Sequence, residues 1–200
     1  LKWSDIKEKR IIRFATINAA HTYFQSKDDE IEGFEFNLAT QFAKDHNLHI
    51  EFIIKDSIEE VIEAVQKGEA EIGAAGITYT KKRNEYLSFS PAYFKSRQSI
   101  ACKEDFKVKK LSELSKLQII IPVDTSYSET LEKIKKENPS LTWKEVENTT
   151  SEVLLQQVWE SEGLCTIIDS HILNLHRRYI PEIHILYEFA KKDQISWAIH

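Results

Sequence analysis

Several side chains between Gly76 and Arg83 could hold a small anion. The stretch reads Gly76-Ile77-Thr78-Tyr79-Thr80-Lys81-Lys82-Arg83. A guanidinium fork pairs bidentately with a carboxylate. Thr78 adds a hydroxyl, and Gly76 lets a ligand approach backbone N–H groups closely. The plain structural reading is a surface arginine in a basic turn, with Thr80 capping a short helical piece. A second set lies further on. Asp169 directly follows an apolar run and could hold a cation, or simply cap the helix after it. Thr125 and Ser126 open another expected helix, whose free N–H groups and dipole favour an anion. Asn18, His21, Tyr23 and Phe24 share a third loop, whose aromatics read as a pocket wall or as a hydrophobic anchor.

These residues need a scaffold that brings loops together, and the apolar patterning predicts one. Ile11–Thr16 reads as a buried strand. Gly33-Phe34-Glu35-Phe36 enters a helix running to about His46, with Phe34, Leu38 and Phe42 on one face. Ile50–Ile54 is a second strand, 57–67 a helix capped by Asp56-Ser57, and Gly68 its C′ stop. Glu71–Ala75 is a third strand, rich in small residues and broken by Gly76. Strand, helix, strand, helix, strand predicts a parallel sheet with right-handed crossovers. The set then repeats: strands at Leu117–Pro122, Leu141–Val146, Leu164–Ile168 and Ile183–Tyr187, with helices from Asp124–Ser128 to Glu137, over Ser151–Glu160 and from Asp169 to about Arg178. Between the sets lie an extended segment, Ser96–Lys103, and a basic, polar stretch, Lys103–Lys110. The expected parts are 1–96 with 195–200 returning, and 97–194. Hinge strands fall near Lys95–Ser99 and Gln194–Ala198. Each set's loops gather at the carboxyl ends of its strands, where open α/β sheets bind ligands.

Composition narrows the function classes. The 200 residues are 42% hydrophobic and 30% charged, which describes a globular chain. A net charge of -5 with dispersed Lys and Arg argues against nucleic acid as a partner. No phosphate-binding loop, dinucleotide fingerprint, zinc-protease or nucleophile-elbow motif is present, so no cofactor or metal is expected. His46 and His49, and His171 and His176, read as ordinary histidines, and paired acids such as Glu59-Glu60 as solvated faces. Cys102 and Cys165 form neither a zinc nor a redox motif. Two buried small side chains is the favoured reading of that pair, and an oxidising compartment leaves a disulfide open.

The residues also carry a resemblance. Ala75-Gly76-Ile77-Thr78-Tyr79-Thr80-x-x-Arg83, followed by Phe89-Ser90-x-x-Tyr93, resembles the ligand motif of the periplasmic amino-acid-binding proteins (solute-binding protein family 3). Gly33-Phe34-Glu35 through Leu38 is similar to that family's first helix entry. The resemblance implies a two-lobe, type II periplasmic-binding-protein-like α/β fold, each lobe a mainly parallel sheet flanked by helices, closing on a ligand. It implies that Arg83 holds a ligand α-carboxylate with help from Thr78 and Gly76, and that Asp169 holds the ammonium. Thr125 and Ser126 assist, and Asn18 and Tyr23 line the pocket. The chain departs from the family at Val123-Asp124-Thr125-Ser126, which lacks the usual basic residue and Gly, and at Ser90-Pro91-Ala92-Tyr93, where the Pro has moved one place.

Within that resemblance the chain looks most like the amino-terminal domain of the membrane-bound lytic murein transglycosylase F family. The carrying residues are Ala15-Thr16-Ile17-Asn18 with Thr22-Tyr23, Ala74-Ala75-Gly76 with Tyr79 and Arg83, Leu141-Thr142-Trp143-Lys144, and Thr166-Ile167-x-Asp169-Ser170 with Arg177 and Pro181-Glu182. This implies a periplasmic sensor of an amino acid or a muropeptide-like small molecule. Its parent protein would be tethered to the outer membrane and act on peptidoglycan through a separate carboxy-terminal catalytic domain. Two alternatives are a free amino-acid receptor of a transporter and a cyclohexadienyl-dehydratase-like enzyme using His21, Asp124 or a carboxylate near Asp169. The chain opens Leu1-Lys2-Trp3 without Met, which points to a removed leader, tag or upstream segment. It stops after a returning strand, so a longer protein is expected, with an apolar face of the first lobe left bare.

Overall fold

The structure is a computed structural model and describes residues 3–105 and 108–200. Leu1-Lys2 and part of the expected polar stretch at 103–110 lie outside the described residues. The chain falls into two compact units, Leu1–Phe94 with Gln194–His200, and Lys95–Asp193.

In the first unit, a short helix α1 (Trp3–Lys9) tucks only Ile6 inside and leads to β1 (Ile11–Ile17), whose last four residues are all buried. A small ribbon follows, β2 (Phe24–Gln25) and β3 (Ile31–Glu32), joined through the solvated turn at Asp28–Glu30. Then come α2 (Phe34–Asp45), β4 (His49–Lys55), α3 (Ile58–Gln66) and β5 (Ile72–Gly73). The entry to α2 requires glycine. Gly33 sits at φ +136, and a Cβ there would lie 2.2 Å from the Thr22 carbonyl oxygen. Helix α3 starts where the Ser57 hydroxyl accepts the Glu60 N–H at 3.2 Å, and Gly68 follows its end at φ +71.

Strand β1 pairs parallel with both β4 and β5. The chain runs from β1 to one neighbour and returns on the other side, so the strand order reverses between β1 and β5. A 3-10 turn (Arg83–Glu85) and β6 (Ser88–Phe89) follow before β7 (Phe94–Cys102), which carries the chain into the second unit. One face of the first sheet packs on α3 through Val61, Ile62 and Val65, and the other packs Ile12 and Phe14 against Ala39, Ala43 and Trp197. The buried side of α2 is therefore Glu35, Ala39 and Ala43, and not the expected Phe34–Leu38–Phe42 face. Leu38 and Phe42 lie at the edge of that core, and Phe34 is 55% exposed. Small residues let the helix sit closer to the sheet than the larger ones would.

The second unit repeats the plan. After a 3-10 turn (Leu111–Lys116) come β8 (Gln118–Pro122), α4 (Ser126–Lys135), β9 (Trp143–Val146), α5 (Ser151–Glu160), β10 (Leu164–Asp169) and α6 (Ser170–His176). Strand β8 pairs parallel with β9 and with β10, so the order reverses between β8 and β10. Strand β10 also pairs antiparallel with β7. The expected strand at Ile183–Tyr187 and the returning strand at Gln194 are one continuous strand, β11 (His184–Ile195). Its alternation lapses at Ala190–Lys192, all exposed, and resumes with Asp193 and Ile195 buried on either side of exposed Gln194. Finally β12 (Ala198–Ile199) lies antiparallel to β5 and β6 in the first unit.

Cys102 and Cys165 are joined as a disulfide, which corrects the reading as two separate buried side chains. They stand directly opposite each other in the β7–β10 register, 4.4 Å apart at Cα. That is the close spacing of a non-hydrogen-bonded antiparallel pair. Sequence spacing shows nothing of this register. Among the described residues no helix is long and apolar enough to cross a membrane, and no cluster of His, Cys, Asp and Glu could hold a metal ion.

Candidate functional site

The first unit's candidates sit where its strand order reverses. Asn18–Tyr23 follows β1, and the Gly76–Arg83 corner follows β5. Arg83 is 4% exposed. Its Nη1 donates to the Thr78 carbonyl at 2.9 Å, and its backbone N–H donates to the Thr80 hydroxyl at 3.1 Å. The solvated basic-turn reading does not fit a guanidinium that is nearly inaccessible, whereas the capping role of Thr80 is present. Thr78 is also buried, bridged to Ile195 where the chain re-enters the unit. Tyr23 is half-buried with its ring against Phe36 at 5.6 Å and Phe52 at 5.3 Å, so the anchor role is filled. Asn18 is exposed at the start of the same loop.

Gly76 takes part in a different way from the one expected. It adopts φ +64, and a Cβ there would lie 2.9 Å from His21 Nε2. Its N–H donates to Glu35 Oε1 at 2.8 Å, so that donor is already engaged within the protein. Glu35 is 2% exposed. It also accepts from the Trp197 indole N–H at 2.7 Å and from the Tyr93 hydroxyl. Sequence reasoning missed this carboxylate, because an acid in the first turn of a helix ordinarily reads as a dipole partner.

Burial pushes the Glu35 carboxyl above its ordinary value, against the pull of the Tyr93, Gly76 and Trp197 donors and of His21. A carboxyl raised by folding adds stability below its ordinary value of 4.5, and that contribution is lost as pH climbs through the folded value. We therefore expect Glu35→Gln to gain stability relative to the parent as pH rises through this window, measured by urea unfolding at a series of pH values. A difference that is flat with pH would show that Glu35 titrates alike in the folded and unfolded chain.

In the second unit the candidates again meet where strand order reverses, after β8 and β10. Asp169 ends β10 and is 4% exposed. It occupies the N-cap position of α6, yet its side chain makes no capping bond. Oδ2 instead accepts the Tyr127 hydroxyl at 2.9 Å, and Ser151 donates to the same hydroxyl at 3.3 Å. Burial and the Asp169 charge hold the Tyr127 phenol well above its ordinary value, so it stays a neutral donor. Thr125 stands at the N-cap of α4 with its hydroxyl donating to the Pro122 carbonyl at 2.9 Å. Asp124, just before the Thr125 that stands where the resembled motif has glycine, holds φ +51, a conformation Asp tolerates better than most residues.

Gln98 was also missed. It stands opposite Asp169 in the β7–β10 register and is 2% exposed. Its Nε2 donates to Ser126 Oγ at 3.2 Å and to Asp193 Oδ2 at 2.7 Å. The polar residue of a strand read only as extended carries no signal in the sequence. Chemically, each unit presents an almost fully buried charge at its switch point, cationic in the first and anionic in the second.

The model of the bacterial extracellular solute-binding proteins, family 3, matches residues 12–175. A membrane-bound lytic murein transglycosylase F from Pseudoalteromonas translucida is 31% identical over 196 residues, covering 98% of this chain and 42% of the relative. A membrane-bound lytic murein transglycosylase F 1 from Alkalilimnicola ehrlichii is 31% identical over 195 residues, covering 96% and 39%. The chain thus spans about two fifths of the length of the curated relatives it matches. Among solved structures, an ABC uptake transporter substrate-binding protein from Streptococcus pneumoniae with bound histidine superposes with a TM-score of 0.85 at 15% identity, over 99% of this chain and 82% of that one. An ancestral amino-acid-binding protein, a precursor of cyclohexadienyl dehydratase, gives 0.82 at 21% identity, over 98% and 85%. These neighbours share the two-lobe, type II α/β fold expected from the sequence. By the family match along most of its length, the chain belongs to the bacterial extracellular solute-binding proteins, family 3.

Proposed function

We propose that this chain is the ligand-sensing domain of a membrane-bound lytic murein transglycosylase, binding an amino acid or a small cell-wall peptide in the periplasm. The ligand α-carboxylate is taken by Arg83 with Thr78, and its ammonium by Asp169. Ser126, Thr125, Tyr23 and Asn18 complete the site, and Gly76 shapes the corner rather than donating to the ligand. The observation that carries the reading is the pair of opposite charges, Arg83 and Asp169, each only 4% exposed and each at the switch point of its own unit. Unit charges are seldom buried without a purpose, and a zwitterion complements both. The Cys102–Cys165 disulfide suits an oxidising compartment. In the parent protein, a carboxy-terminal domain would cleave peptidoglycan and an anchor would hold it at the outer membrane.

The test is a thermal-shift screen of the standard L-amino acids and small muropeptides. A ligand stabilises by RT ln(1 + [L]/Kd), so one present at a hundred times its Kd adds about 2.7 kcal/mol. A reproducible upward shift with one class supports the reading. No shift with any amino acid or muropeptide contradicts it.

A further inference from the structure

Glu35 is a buried acid that ligand binding as described above does not use, and its partners come from three separate places in the first unit. Gly76 begins the corner that leads to Thr78 and Arg83. Tyr93 immediately precedes β7, on which the chain leaves the unit. Trp197 lies two residues after β11, on which the chain comes back. Each donates a hydrogen bond to the same carboxylate, and Gly76 and Tyr93 share a single oxygen, Oε1. Beside this side-chain link runs a backbone one: the Tyr93 N–H donates to the Ile195 carbonyl at 3.1 Å, and the Ser196 N–H to the Ile77 carbonyl at 3.0 Å. The carboxylate itself is fixed by the start of α2, where the Glu35 and Phe36 N–H groups donate to the His21 and Thr22 carbonyls at 3.4 and 2.9 Å.

From this geometry we propose that Glu35 is a positioning residue: it sets the Gly76–Arg83 corner and couples that corner to the first-unit ends of both chain crossings. An ionised carboxylate only accepts hydrogen bonds, and here it meets three donors. An amide would turn an NH2 group toward at least one of them, so Gln cannot replace Glu without opening a link. The Glu35 link would let occupancy at Arg83 reach Tyr93 and Trp197 through one side chain, in parallel with the backbone bonds of 194–196, a physical network of the kind that carries energetic coupling. The proposal rests on reading the corner as the ligand carboxylate site.

The experiment is amide hydrogen exchange followed by NMR on the ligand-free protein. Glu35→Gln should speed exchange at Gly76 about fivefold, as expected when a hydrogen bond to a charged group becomes at best one to a neutral amide oxygen. The β1–β4 ladder amides should keep their parent rates. Tyr93→Phe, which removes one hydroxyl and leaves the ring, should change Gly76 exchange about twofold or more, and by a smaller factor in the Glu35→Gln background. Unchanged Gly76 exchange in both variants overturns the proposal. So does acceleration of Gly76 and the β1–β4 ladder by the same factor, which is the mark of a carboxylate needed only for the fold. If Glu35→Gln does not fold, Tyr93→Phe alone decides, because the hydroxyl it removes is bonded to the same Glu35 oxygen as Gly76. These arms need no ligand. An intact network in a protein that binds no amino acid would leave the positioning in place and remove the ligand reading instead.

Discussion

Arg83→Ala is expected to weaken binding of the amino-acid ligand by about 2–5 kcal/mol, a loss of tens-fold to thousands-fold in affinity. The size follows from burial. Arg83 is only 4% exposed, with one guanidinium nitrogen already on the Thr78 carbonyl. Truncation would leave a ligand carboxylate desolvated without its cation, which costs more than losing a surface ion pair. Arg83→Lys should not restore affinity. An ammonium is a compact point charge on a flexible stem, and it cannot form a bidentate pair while also reaching Thr78. Calorimetric titration measures the loss, and the melting temperature without ligand separates it from any effect on the fold. Parent-like affinity in Arg83→Ala would remove Arg83 from the site.

Replacing both cysteines, Cys102→Ala with Cys165→Ala, is expected to lower unfolding free energy by about 4 kcal/mol. The bridge joins residues 63 apart in sequence, and the chain-entropy cost of closing so long a loop in the unfolded state sets the figure. Both side chains are buried in the second unit's core, at 0% and 2% exposure, so Ala leaves no unpaired polar group there. Reduction of the parent should destabilise it in the same direction. The measurement is denaturant unfolding of the parent under oxidising and reducing conditions beside the double variant. Coincident curves would mean that the tie contributes nothing.

Much of the fold was legible because alternating strand and helix patterns are local. The helix at Ser151–Glu160 falls where the sequence put it, and β1, β4, β8 and β10 lie within one or two residues of their expected places. What escaped depends on pairing. The disulfide needed the β7–β10 register. The length of β11 needed knowledge of what it packs against, since Lys191, Lys192, Asp193 and Gln194 interrupt its apolar pattern. The clearest miss is α2. Hydrophobicity marks Phe34, Leu38 and Phe42 and leaves Glu35 off the expected buried face. Close packing against the sheet instead selects Ala39 and Ala43, and Glu35 shares their face at the helical spacing. Gln98 and Tyr127 escaped for a similar reason, since each supports its neighbours only after the strands of the second unit are laid side by side.

The corner around Gly76 has the turn expected of it and an additional partner, Glu35. Gly76 is the glycine that the turn demands, with φ +64 and His21 against it. The donor expected for a ligand is bound to Glu35 instead. This leaves the guanidinium and the Thr78 hydroxyl as the groups assigned to the ligand carboxylate, and it makes the proposed site more dependent on Arg83 than the motif alone implied.

The central claim is that opposite charges at Arg83 and Asp169 recognise a zwitterion. Its most direct test is calorimetric titration of the parent protein with the best amino acid from the screen, its N-acetyl derivative and its α-carboxamide. The account predicts measurable binding of the free amino acid, with a loss of about tenfold or more for each derivative, since each removes one charge-assisted contact. Equal affinity for all three compounds would contradict it.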